Sequence, residues 1–214
     1  MSKNTPSNDI PQPQSLQLRR LQRLTDVVYA LVLWRIFTFL PKPGGEGWEE
    51  DSLGELLTAN LPVLVLIVIG LAFTIIYWLQ NNTLFGNLAR TDGRHTTLAI
   101  MQIFLLLLFL YSIRLGIVLG GSPGTRLFES VTAALVGYAG AAGWMHAKND
   151  RRLLQPNTTA QKADEIGDRI LAEPLAATLT IPFAFTPILW EVAWLSYPVM
   201  VGLLRRRRRR HKND

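Results

Sequence analysis

The chain has 214 residues and no cysteine, and its 22 Lys and Arg outnumber 16 Asp and Glu for a formal net charge of +6 at neutral pH. The absence of cysteine excludes disulfides and thiolate metal sites. Hydrophobic residues make up 49% of the chain and are gathered into long blocks, which excludes a water-soluble globular domain and predicts an all-α, polytopic membrane protein.

Residues 1–18, rich in Ser, Asn, Gln and Pro, read as a disordered tail. A first span is predicted at 24–40. It contains Asp26 and Arg35, and no small-residue cleavage site follows it, so it is not read as a secretory signal. Moving a carboxylate toward the bilayer centre costs about 2.5–3.5 kcal/mol, so Asp26 needs a physical reason. Either a polar partner holds it, or it lies at a helix N-terminus where the dipole favours a negative charge. The loop that follows is acidic, with Glu46, Glu49, Glu50, Asp51 and Glu55.

Leu61 to Leu79 contains no charge, and the second span is placed at 61–80. Asp92-Gly93, inside Arg-Thr-Asp-Gly-Arg-His at 90–95, supports a tight connection into a third span at 96–113. The fourth, at 130–146, carries Ala133, Gly137 and Ala141, and also Ala139 and Gly143, at four-residue spacing. That spacing lets another helix approach closely, whether from the same chain or from a second copy. Ile170 to Leu204 is too long for one helix, and Pro182, Thr186 and Pro187 divide it into spans at 169–185 and 187–204. Each of the six is about the length that crosses roughly 30 Å of hydrocarbon.

Charge placement supports the count. With both termini cytoplasmic, eighteen of the 22 Lys and Arg fall on that side, and the opposite side keeps Lys42, Arg114 and Arg126. The domain reading is therefore a six-span unit at 19–204 followed by a basic tail at 205–214. Arg205, Arg206, Arg207, Arg208, Arg209 and Arg210 follow directly on an apolar span without interleaved aromatics. They are read as a topology anchor that attracts anionic lipid headgroups, not as a nucleic-acid site.

His95, His146 and His211 have no second metal-ligand residue at helical spacing, and no nucleophile elbow, phosphate-cradling Gly loop or HExxH pair occurs. No metal, cofactor or enzymatic activity is expected. Asp26 and Glu173 lie at similar depth near the cytoplasmic ends of spans one and five, with Arg20 and Arg23 within reach of both. Arg35 and Glu191 lie about one turn below the opposite side, which predicts an Arg35–Glu191 ion pair. At 100° per residue, Leu24, Val27, Leu31 and Thr38 fall within about 40° of one direction on the first helix.

The run Arg20-Leu-Gln-Arg-Leu24-Thr25-Asp26 resembles the Arg-x-x-x-Phe-Ser-Asp signature of the transmembrane protein 175 family of potassium channels. Trp78-Leu-Gln-Asn81-Asn-Thr-Leu-Phe85 is similar to that family's Trp-x-x-His-x-x-x-Phe pattern, and Gln102 falls where relatives carry asparagine. The resemblance implies a polar clasp behind the pore helix made by Arg20, Thr25, Asp26, Trp78, Asn81 and Gln102. It also implies a homotetramer in a bacterial plasma membrane, since one six-span repeat is present, with potassium as the permeant ion. The first span would line the path, Leu31 would form its constriction, and Val27, Trp34 and Thr38 would line the rest. The chain departs from relatives in carrying Trp34 where threonine contributes to selectivity, and in placing Arg35 beside the presumed path. Rival readings are a secondary transporter, supported by Pro174, Pro182, Pro187 and Pro198, and a non-conducting scaffold subunit.

Overall fold

Local capping decides where several helices begin. The Asp92 side chain accepts from the His95 amide at 2.9 Å and Thr159 accepts from the Lys162 amide at 3.2 Å, each satisfying an amide with no partner in its own helix. Pro187 opens another helix at a position where a missing amide proton does no harm. In the computed structural model, which describes residues 13–38, 40, 53–149 and 151–211, these signals bound eight α-helices. They are α1 (Pro13–Phe37), α2 (Leu53–Ala59), α3 (Leu61–Phe85), α4 (Gly93–Val118), α5 (Pro123–Asn149), α6 (Ala160–Thr180), α7 (Pro187–Trp194) and α8 (Tyr197–His211). A single 3-10 turn at Ile181–Phe183 joins α6 to α7, and no strand occurs among the described residues.

Gly120 and Gly121, both at φ +65°, end α4, and the Gly121 amide returns to the Gly116 carbonyl at 2.7 Å. That left-handed geometry is open to glycine without a Cβ penalty.

Several boundaries differ from the sequence expectation. Residues 13–18, expected in the disordered tail, form the first turns of α1, because Leu18 and Leu21 are buried against Leu84, Leu88 and Trp144. The amphipathic helix thus extends beyond the apolar block that predicts it. The expected single span at 187–204 is two helices, α7 and α8, with a bend of 43° between them, and α8 continues through the arginine run to His211. By length and apolarity, α3 from Val63 and α4 are each able to cross a membrane, and the bent α7–α8 pair makes a third where it acts as one broken span and not as a re-entrant loop. Of the acidic loop, only the short helix α2 is described.

α5 is the central helix, packed between α4 and α6. Its small residues make that possible. Gly137 lies under the Pro174 ring of α6, Gly140 under the Gln102 side chain of α4, and Gly143 beside Leu98 and His95. The small-residue face therefore packs within the chain, as expected where close approach and van der Waals contact, not exclusion from water, hold helices together. Trp144, fully buried, donates from Nε1 to the Ala163 carbonyl at 2.9 Å and fixes α5 to the start of α6.

At the end of the bundle that carries the α3–α4 and α5–α6 loops, the two loops are tied together. The Ala89 amide donates to the Leu153 carbonyl and the Gln155 amide to the Asn87 carbonyl, at 2.8 and 2.9 Å. Asp92 joins them further, meeting His146 Nε2 at 2.9 Å and Arg152 at 3.4 Å. Partial burial pushes the Asp92 carboxyl up, but the His95 amide, His146 and Arg152 together hold it below the ordinary carboxylate value of 3.8. A depressed folded-state value means that Asp92 contributes stability above pH about 3.8, and that this is lost as pH falls through the lower folded value. Thermal unfolding between pH 5 and 3 should therefore be less pH-dependent in Asp92→Asn than in the wild type. An equal slope would show that Asp92 is not a linked group.

Candidate functional site along the first helix

α1 has two faces. Leu18, Leu21, Thr25 and Tyr29 are buried at spacings of three and four residues, which is one helical stripe turned toward the bundle. The opposite stripe, Leu24, Val27, Leu31 and Trp34, is apolar yet open, with Leu31 61% and Trp34 66% exposed. On a chain with helices able to cross a membrane, a stripe of that length and apolarity faces either lipid or another protein surface.

Polar contacts tie α1 to α3, one at an exposed position and one buried. Trp78 of α3 donates from Nε1 to Asp26 Oδ1 at 3.1 Å, and Asn81 of α3 donates to the Tyr29 hydroxyl at 2.8 Å. Asp26 lies thirteen residues into α1, which removes the helix N-terminus as its explanation and leaves the polar partner. Thr25 is buried but turns inward on its own helix, donating to the Leu21 carbonyl at 2.9 Å. Gln102 is buried on α4 with its amide nitrogen packed against Gly140 and no hydrogen-bond partner among the described residues. Arg20 lines an open groove with Gln17, Leu24, Thr96, Thr97 and Ile100. The sequence-predicted clasp is thus brought together at Asp26 with Trp78. Asn81 joins α1 through Tyr29 and lines a small cavity together with Gln102, while Thr25 bonds within its own helix and Arg20 lines the groove against α4.

Two clasp residues were not singled out from the sequence. Tyr29, on α1, takes the Asn81 bond. Tyr77, fully buried on α3, donates to Glu173 of α6. The usable signal was the need of Glu173, a carboxylate within an apolar helix, for a donor at matching depth.

Among the described residues no ion pair joins Arg35 to Glu191. Arg35 instead lines a groove between α1, α3 and α4 with Ile36, Ile67, Gly70, Tyr111 and Arg114, while Glu191 is exposed on α7. The expectation used position along each span, which does not specify how the helices are rotated and arranged in the bundle. The Thr38 hydroxyl donates to the Arg35 carbonyl at 2.7 Å. No group of three or more metal-ligating side chains occurs among the described residues.

No protein-family model matches the chain, and no curated protein matches it. Among solved structures it is similar to the crystal structure of a lysosomal potassium-selective channel TMEM175 homolog from Chamaesiphon minutus. The TM-score is 0.63 at 19% sequence identity, over 88% of this chain and 95% of that one. The chain therefore has the fold of that channel homologue over nearly its whole length.

Proposed function

We propose that this chain is a multi-pass plasma-membrane protein with both termini cytoplasmic, and that four copies form a cation channel that prefers potassium. The observation that carries the reading is the unpartnered apolar stripe Leu24–Val27–Leu31–Trp34 on a helix whose other face is held by Trp78 and Asn81. Four such stripes about one axis would make a narrow apolar path. The likeness to a potassium-selective channel homologue supports a potassium channel.

In this reading the Leu31 side chains form a ring that closes the path by dewetting, and a small rotation of α1 opens it to a partly hydrated cation. Val27 and Trp34 flank the ring, and Thr38 lies beyond it. Arg35 lines the groove against α3 and α4 and is exposed beside the Leu31 stripe, so in this reading its charge has to be held off the path by the groove. The Arg205–Arg210 run would rest at the cytoplasmic leaflet against anionic headgroups. No catalytic step and no cofactor enter this reading.

Purified protein reconstituted in liposomes should pass potassium down its gradient without a partner or a driving ion. A second reading, secondary transport, draws on the interruption at 181–186 and the buried Glu173–Tyr77 contact in α6. Flux that saturates and requires a proton gradient would replace the channel reading with that one. No flux at all would leave a scaffold subunit.

A further inference from the structure

We propose that the groove between α3, α6 and the start of α8 binds one anionic phospholipid, with Lys162 and Arg169 holding its phosphate and its acyl chains lying along Ile76, Leu79 and Ile166. The groove encloses about 460 Å³ and all five residues line it, with Tyr197 of α8. Lys162 and Arg169 are seven residues apart on α6, so they share a face two turns apart, about 10 Å along the axis. Both are exposed, and neither takes part in an ion pair of the described residues.

Two acids share the groove, and both are occupied. Glu165 accepts from the Gln161 amide at 3.0 Å, and Glu173, at the deep end, accepts from Tyr77. The α3 wall combines Ile76, Leu79 and Leu84 with Gln80 and Thr83, and it is open at Ile76 and Leu79. α8 packs on α6, and its Tyr197 completes the groove lining. Two cations spaced along one face of a groove that also carries Ile76, Leu79 and Ile166 match a headgroup phosphate continuous with acyl chains. Free phosphate would use the cations and leave the wall bare. The proposal rests on the membrane placement given above, not on conduction.

The test is thermal unfolding of the detergent-purified full chain titrated with phosphatidylglycerol, phosphatidylcholine or inorganic phosphate. Phosphatidylglycerol should stabilise most, and the Lys162→Ala/Arg169→Ala double variant should bind it about tenfold more weakly or worse. A variant with glutamine at 205–210 should keep most of the stabilisation. Ile76→Trp, which fills the exposed wall without touching a cation, should weaken phosphatidylglycerol binding even if the double variant fails to fold.

Equal stabilisation by phosphatidylcholine, stabilisation by inorganic phosphate alone, or complete loss in the 205–210 variant would each overturn the site. So would an Ile76→Trp variant whose oligomer changes size while its lipid stabilisation persists, since that assigns the groove to a second copy. The readout is independent of flux: a chain that conducts nothing but loses lipid stabilisation in the double variant still carries the site.

Discussion

Leu31→Ala is expected to raise potassium flux through reconstituted protein by on the order of tenfold and to weaken its discrimination against sodium. Leu31 is the exposed centre of the apolar stripe on α1, with Leu24 and Val27 on one side and Trp34 on the other. A closed hydrophobic neck resists water because its wall offers no hydrogen bonds, and four truncated leucines widen that wall. The substitution leaves the buried Leu18–Leu21–Thr25–Tyr29 face untouched, so folding should be near wild type. Leu189→Ala, at an exposed leucine of α7, serves as the control and should leave flux unchanged. If the two variants behave alike, α1 does not form the neck.

The largest stability effect is expected at Gly137. A Cβ there would stand 2.7 Å from Pro174 Cδ and 2.9 Å from Pro174 Cβ. The proline ring cannot rotate away, so α5 and α6 must separate along the contact that holds the centre of the bundle. Overpacking of this kind costs roughly 1–3 kcal/mol, only partly offset by the better helix propensity of alanine, about 1 kcal/mol. Gly137→Ala should therefore unfold at lower temperature, and Gly137→Leu at lower still. Gly140→Ala meets the flexible end of Gln102 and should cost less than Gly137→Ala. Gly124→Ala meets nothing within 4 Å and should be neutral or stabilising. Thermal unfolding of the four proteins in one detergent gives the order. Gly137→Ala no less stable than Gly124→Ala would show that the α5–α6 contact is looser than drawn.

Helical content and the approximate position of each long helix were legible because uninterrupted apolar blocks and capping residues act locally. The likeness to the channel homologue was legible in one short polar run, since Asp26 within an apolar helix requires a specific environment. The beginning of α1 was misplaced because residues 13–18 are amphipathic, and Leu18 and Leu21 become helical by packing on α3 and the α5–α6 segment. The expected Arg35–Glu191 pair rested on position along the spans alone; Arg35 lines the groove of α1, α3 and α4 and Glu191 is exposed on α7, because angular position in the bundle is a second coordinate.

The sequence by itself determined an all-helical chain of apolar blocks with small residues on α5, a basic end, and a carboxylate at Asp26 that needed a donor. These follow from periodicity, capping and the energetics of charge in an apolar setting. Only the tertiary structure decided that Tyr29 takes Asn81, that Tyr77 takes Glu173, that Gly137 sits under Pro174, and that the Leu31 stripe is left open. Those partners lie between 37 and 96 residues apart in the chain, and contacts between distant helices depend on how each rod is rotated, which no local pattern encodes.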